Sequence, residues 1–192
     1  MKKIVFDIET SNIFSDVGSN NPVDLNISVV GVYEYEGDKY TAFLQEDFSK
    51  LWPIIENADM FITFNGDHFD IPLLNKYYPG DLLKIKSVDL LKEMHASAGR
   101  RMKLDQIAEG TLGTHKSGHG LEAIKWWRDG EVEKVKKYCL DDVRITKDLY
   151  EYALKNGKLI FKEGPGLNEV KLDTSGWETP SSPSALNYTL PF

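Results

Sequence analysis

Three short segments of the sequence carry acidic residues at spacings that suit metal chemistry. Asp7 and Glu9 lie in KIVFDIET, Asp70 lies in NGDHFD, and Asp142 lies in YCLDD. Carboxylates that are brought together repel one another unless a divalent cation binds among them. Carboxylate oxygens are the ligands that Mg²⁺ and Mn²⁺ prefer in proteins. The four acids therefore predict a metal site of the kind that supports phosphodiester hydrolysis.

The first pair of acids follows the geometry of a strand. Asp7 and Glu9 are two residues apart, so on a β-strand both side chains point to the same face. Thr10 comes next, near the end of the strand, and we expect it to contact the substrate. Taken alone, the pair has an alternative interpretation, because alternating acids are also common at solvent-exposed strand ends.

The second segment reads as a strand, a polar turn and a helix. Asn65 lies in the turn, where it either stabilises the backbone or contacts the substrate. Asp70 falls in the first turn of the helix. Free backbone amides and the helix dipole favour an acid at that position, so helix stabilisation is an alternative to metal binding.

The third segment places a phenol and a carboxylate on one helix face. Tyr138 and Asp142 are four residues apart, which makes them neighbours on an α-helix. A phenol with an ordinary pKa near 10 is a poor base at neutral pH, so we expect Tyr138 to orient an attacking water. The alternative is an amphipathic helix with an aromatic packing residue and a surface acid.

Composition and charge narrow the range of functions. The chain has 192 residues and a net charge of −7, which argues against duplex binding through a broad basic surface. The single cysteine, Cys139, rules out an intrachain disulfide and a thiolate cluster, and it fits a reducing cytoplasm. The apolar run at residues 4–6 is too short for a signal peptide or a membrane span, so we expect a cytoplasmic protein with no membrane partner.

The hydrophobic pattern predicts an α/β fold in which helices cover a mixed sheet. Residues 1–157 are expected to form the main domain, and residues 158–192 a hairpin followed by an extended tail. The predicted strands are residues 4–8, 27–35, 40–44, 60–64 and 84–88. The predicted helices are residues 48–57, 69–77, 89–96, 104–109, 121–128 and 132–155, and residues 11–24 are expected to form a loop.

Together, the three acidic segments resemble the motifs of the DEDDy subgroup of 3′–5′ exonucleases. FDIET resembles the first motif, and NGDHFD resembles the second as it occurs in the proofreading domains of family B DNA polymerases. YCLDD resembles the third motif, Tyr-x-x-x-Asp. Order and spacing match over roughly residues 1–155. The stretch LDQIAEGTLGTHKSGHGLEAIKWW is more similar to YprB-type ribonuclease H-like proteins, which occur alone or beside a helicase.

The resemblance implies a fold, a cofactor and a role for each motif residue. The fold is the ribonuclease H-like one, with three antiparallel strands plus parallel strands in a five-stranded sheet flanked by helices. Asp7, Glu9 and Asp142 would bind one of two Mg²⁺ or Mn²⁺ ions. Asp7 would also reach the second ion, which Asp70 would support, and Tyr138 would position the water. The implied reaction removes nucleotides from 3′ ends of DNA or RNA, and a helicase is a possible partner.

Several basic residues are further candidates for substrate binding. Arg100 and Arg101 form a basic patch with Lys103, and His115 lies in a glycine-rich loop. The patch could contact phosphates, although a solvated loop is the more ordinary explanation for it, and His115 could contact the substrate. Two rival functions stay open: a structure-specific endonuclease of the same fold, and a non-enzymatic module that binds nucleic acid or a helicase.

Overall fold

The central strand of the sheet is β1 (Lys3–Thr10), which is hydrogen-bonded on both sides. β2 (Ile27–Glu34) lies antiparallel on one side and β4 (Met60–Thr63) lies parallel on the other. β3 (Lys39–Phe43) and β5 (Lys86–Asp89) form the edges, which gives the order β3-β2-β1-β4-β5. The computed structural model, which describes residues 1–114, 118 and 120–180, thus confirms the mixed five-stranded sheet.

Helices cover both faces of this sheet. Their bounds are α1 (Phe14–Val17), α2 (Phe48–Glu56), α3 (Asp70–Asn75), α4 (Leu90–Ala98), α5 (Leu104–Leu112), α6 (Gly120–Arg128) and α7 (Val132–Asn156). Short 3₁₀ turns occupy Pro22–Asp24, Gln45–Asp47 and Leu82–Lys84. The sequence predicted a loop over residues 11–24. The structure differs, because α1 and one 3₁₀ turn lie within this segment. Among the described residues, no helix combines the length and apolarity needed to cross a membrane.

Successive residues of β1 pack into two different cores. Val5 belongs to the core that contains Leu149 of α7, whereas Phe6 belongs to the core that contains Leu51 of α2. Because both faces are covered, the inner strands are apolar almost throughout rather than alternating with polar residues. A charged side chain on β1 therefore needs a specific partner.

After α7 the chain forms an antiparallel hairpin, with strands β6 (Lys158–Glu163) and β7 (Gly166–Lys171). Leu159 of the hairpin lies in the same core cluster as Val5. The chain that follows also packs there, since the indole of Trp177 stacks on Tyr150 with ring centroids 5.5 Å apart. The expected extended tail falls mainly on residues 181–192, which lie outside the described residues.

Candidate metal centre

The first two acids lie on the face of β1 that α7 covers. Glu9 is buried and Asp7 is half-buried, whereas Ile8 between them packs into the opposite core with Phe6. The alternation expected from the sequence therefore holds, and β2 fixes the backbone of both acids, since Asp7 pairs with Gly31 and Glu9 pairs with Val29.

Helix α7 brings the third acid to this strand. Asp7, Glu9 and Asp142 each offer a carboxylate oxygen, and these oxygens lie within 4.8 Å of one another. Asp142 is only 3% exposed. A set made only of carboxylate oxygens is a hard-ligand set, and it fits Mg²⁺ or Mn²⁺.

A glycine on β2 allows the close approach of α7. Gly31 pairs with Asp7 across the β1–β2 ladder. A Cβ atom added at Gly31 would lie 2.9 Å from the Sγ atom of Cys139 and 3.2 Å from a methyl of Val143. Any larger residue would therefore push away the helix that carries Asp142.

Asp70 lies beside this cluster but not in the group of three. Its Oδ1 atom accepts a hydrogen bond of 2.9 Å from the backbone N–H of Ile8, and the residue is 4% exposed. Burial raises the pKa of Asp70 to about 8, and the nearby charges of Asp89 and Asp142 act in the same direction. A carboxylate in that position is unfavourable without a proton or a cation close by.

The three acids open into a cleft of about 390 Å³ that Tyr138 and Asn65 also line. Tyr138 is buried, and its ring packs edge-on against Trp126 with centroids 6.0 Å apart. Lys103 and Asp105 line the same cleft. Sequence reasoning noted Lys103 only as part of a basic patch and missed Asp105, because neither belongs to a recognisable motif.

The thiol of Cys139 touches the first acid directly. Its Sγ atom lies 3.3 Å from the backbone oxygen of Asp7 and 3.7 Å from Oδ2 of the same residue. Burial raises the pKa of this thiol, and the charges of Asp7 and Glu9 raise it further. Cys139 is therefore a neutral donor to Asp7.

Asp89 organises the turn beside the cleft and was missed by sequence reasoning. Its carboxylate accepts hydrogen bonds from the backbone N–H groups of Asn65 (2.7 Å) and Asp67 (3.1 Å). It also caps α4 by accepting from Leu91 at 3.0 Å. Asn65 can then hold a left-handed conformation, with φ of 70°. The available signal was the position of Asp89 just before an apolar helix, which is typical of an N-cap.

The two adjacent arginines lie in different places. The guanidinium of Arg101 donates to the side-chain oxygen of Asn65 at 2.5 Å, which places it at the edge of the cleft. Arg100 forms an ion pair with Glu163 of β6 at 2.7 Å and lies over the ring of Phe161. The structure therefore puts Arg100 against the hairpin, outside the set of cleft-lining residues.

The remaining candidates are Thr10 and His115. The hydroxyl of Thr10 donates to the backbone oxygen of Asn12 at 2.9 Å. Thr10 lines a separate apolar groove of about 380 Å³ with Phe14 and Phe69, whose rings meet edge-to-face at 6.3 Å. His115 lies outside the described residues.

The order of the strands is that of a ribonuclease H-like α/β protein. The acids that β1 and α7 bring together form its candidate metal centre. A family model described as RNase_H superfamily matches residues 4–154, and the chain belongs to this superfamily. This confirms the ribonuclease H-like part of the resemblance. The DEDDy and YprB assignments stay predictions.

Solved structures show the same fold. The chain is similar to the family B DNA polymerase from the hyperthermophilic archaeon Pyrobaculum calidifontis, with a TM-score of 0.60 and 20% identity. The match covers 80% of this chain and 24% of the polymerase, so the chain spans about a quarter of that protein. No curated protein sequence matches the chain.

Proposed function

We propose that this protein is a metal-dependent 3′–5′ exonuclease that acts on ends of single-stranded DNA or RNA. The observation that carries the proposal is the convergence of Asp7, Glu9 and Asp142 within 4.8 Å at a cleft. The likeness to part of a DNA polymerase supports a nucleic acid substrate. The motif resemblance supports attack from the 3′ end.

Each site residue has a distinct role in this proposal. Asp7, Glu9 and Asp142 would hold one of two Mg²⁺ or Mn²⁺ ions, and Asp70 would support the second together with Asp7. When bound, the ions supply charge neutralisation at the phosphate and make water a better nucleophile. Tyr138 would hold the attacking water in line by a hydrogen bond from its buried hydroxyl.

Other residues in and near the cleft would bind the nucleic acid strand. Arg101 and Asn65, joined by a hydrogen bond at its edge, present a guanidinium to a backbone phosphate. The apolar groove beside Thr10 would take the terminal base, because Phe14 and Phe69 offer aromatic surface directly beyond the strand that carries Glu9.

The deciding experiment is digestion of 5′-labelled single-stranded DNA and RNA with Mg²⁺, Mn²⁺ or EDTA. We expect a ladder that shortens by single nucleotides, and no reaction in EDTA. Asp7→Ala should abolish it while leaving the protein folded. The matched control is Asp141→Asn, since Asp141 is adjacent to Asp142 but lies near Arg144 outside the cleft.

Other results would identify the rival functions. Cleavage of a circular single strand would show an endonuclease. The absence of hydrolysis with either metal, while the strand still binds, would show a non-enzymatic module. Unchanged activity of Asp7→Ala would show that the site has been assigned to the wrong residues.

A further inference from the structure

A second cavity, of about 470 Å³, lies where β1 ends and β2 begins. Its wall includes Ser11, Ser28, Gln45, Tyr77 and Trp127, and none of its lining residues lines the metal cleft. The volume falls in the range of small-molecule sites. Ser11 is two residues after Glu9 of the metal site, and two residues of extended chain span about 7 Å.

A bulge in the β1–β2 ladder builds the inner wall of this cavity. Val29 pairs with Glu9 and Ile27 pairs with Thr10, so Ser28 has no opposite residue on β1. Ser28 is 1% exposed, and its hydroxyl has no hydrogen-bond partner among the described residues. Such bulges are common next to active sites, and an unpaired buried hydroxyl is unusual enough to require an explanation.

The polar rim is fixed before any ligand arrives. The side-chain nitrogen of Gln45 donates to the backbone oxygen of Ile27 (3.0 Å) and to the hydroxyl of Tyr77 (3.3 Å). The backbone N–H of Ile27 also donates to that hydroxyl, at 3.4 Å. Since the Tyr77 oxygen accepts both bonds, its hydrogen is available to donate, and the carboxamide of Gln45 also carries an oxygen that can accept.

Aromatic surface and charge complete the cavity. Trp127 is half-buried and packs against the core cluster that contains Val29, so its indole is held in place while part of it stays accessible. Lys76 donates to the backbone oxygen of Leu25 at 2.9 Å and brings a cation to the wall. Glu46 adds a carboxylate, which can accept from the exocyclic amino group of a base.

We propose that this cavity is a nucleotide subsite that holds one base of the single-stranded substrate. The base stacks on Trp127, and its edge bonds to Gln45 and Tyr77. The hydroxyl of Ser28, which can turn between staggered rotamers, gains a partner there. A flat aromatic face beside a fixed donor and acceptor is how proteins read bases in single strands. This inference rests on the proposed nuclease function, since it adds a contact for the same strand.

Strand binding in EDTA tests the subsite without hydrolysis. The probe is a 5′-fluorescein-labelled DNA of eight nucleotides, bound by the full chain and followed by fluorescence anisotropy. In parallel, each nucleotide in turn is replaced by an abasic unit. For the wild type, we expect one abasic position near the 3′ end to weaken binding severalfold.

Variants then assign that position to the cavity. Trp127→Ala should weaken binding of the intact strand about tenfold and should cancel the effect of that one abasic position. Trp127→Phe should keep most of the affinity because it keeps a stacking surface. The matched control is Trp52→Ala, since Trp52 packs against Phe48 and Tyr78 and does not line the cavity.

Ser28→Ala separates binding from a structural role. We expect its melting temperature to rise, because an unpaired buried hydroxyl is removed, while its affinity for the strand falls. Folded Trp127→Ala that binds every strand as the wild type does would overturn the subsite, and so would a Ser28→Ala variant with unchanged affinity. If the subsite results hold but no metal supports hydrolysis, the nuclease proposal alone fails.

Discussion

The backbone N–H of Ile8 donates a hydrogen bond of 2.9 Å to the Oδ1 atom of Asp70. Ile8 lies between Asp7 and Glu9, so this bond fixes the start of α3 to the strand segment that carries both acids. Asp70 therefore positions the cluster even though it lies outside the group of three. Because Asp70 is buried in that position, the pKa of its carboxyl is raised to about 8.

We expect Asp70→Asn to stabilise the metal-free protein in a pH-dependent way. The pKa of Asp70 in the folded protein lies above its ordinary value of 3.8. The unfolding free energy of the wild type is therefore highest below about pH 4, and it falls as the pH rises through 8. The carboxamide avoids this loss because it never ionises, and its oxygen can still accept from Ile8. At pH 8 the gain in unfolding free energy should be on the order of 1–4 kcal/mol.

Urea unfolding in EDTA at pH 4, 6 and 8 measures this difference. The gap between Asp70→Asn and the wild type should widen with pH, and added Mg²⁺ should narrow it. A gap that stays constant across the three pH values would show that ionisation of Asp70 is not its source.

Tyr138→Phe should separate metal binding from catalysis. The ring still packs against Trp126, so the fold and the affinity for Mn²⁺ should not change. Loss of the hydroxyl that orients water should lower kcat roughly 100-fold. Single-turnover digestion and calorimetric Mn²⁺ titration measure the two quantities separately, and wild-type rates would refute the water-orienting role.

Local periodicity was enough to predict which site residues share one face of a strand or one face of a helix. The spacing of Asp7 and Glu9 on a strand, and of Tyr138 and Asp142 on a helix, requires only the 2.0 and 3.6 residue repeats. The structure brings these four residues to one cleft. That the strand and helix meet there was not visible in the spacing; it came from the family resemblance.

Contacts between segments that are distant in the chain could not be predicted from the sequence pattern. The position of Asp89 before an apolar helix could have indicated a helix cap, but its bond to Asn65 joins residues 24 positions apart. Arg100 and Arg101 looked equivalent, yet Glu163 of the hairpin binds only the first of them. Each of these outcomes depends on how elements pack, and no local repeat encodes it.

Gly31→Ala should disturb the metal centre from a distance. The added methyl group would lie 2.9 Å from the Sγ atom of Cys139, so α7 must shift away from β2 and carry Asp142 with it. We expect a loss of about 1–3 kcal/mol in unfolding stability and weaker binding of Mn²⁺. The control is Gly176→Ala, because no atom lies within 4 Å of the position a Cβ would take there. Equal Mn²⁺ affinity in both variants would contradict the proposed close packing.

Arg101→Gln should weaken strand binding more than Arg100→Gln does. The guanidinium of Arg101 bonds to Asn65 at the edge of the cleft, whereas Arg100 is paired with Glu163 of the hairpin. We expect Arg101→Gln to raise KM about tenfold. The salt dependence of single-strand binding should fall by about 0.7 in log–log slope, as for one lost phosphate contact. Arg144→Gln removes the same charge from an exposed residue of α7 that does not line the cleft, and so controls for net charge. If all three variants show the same KM and salt slope, Arg101 makes no direct contact with the strand.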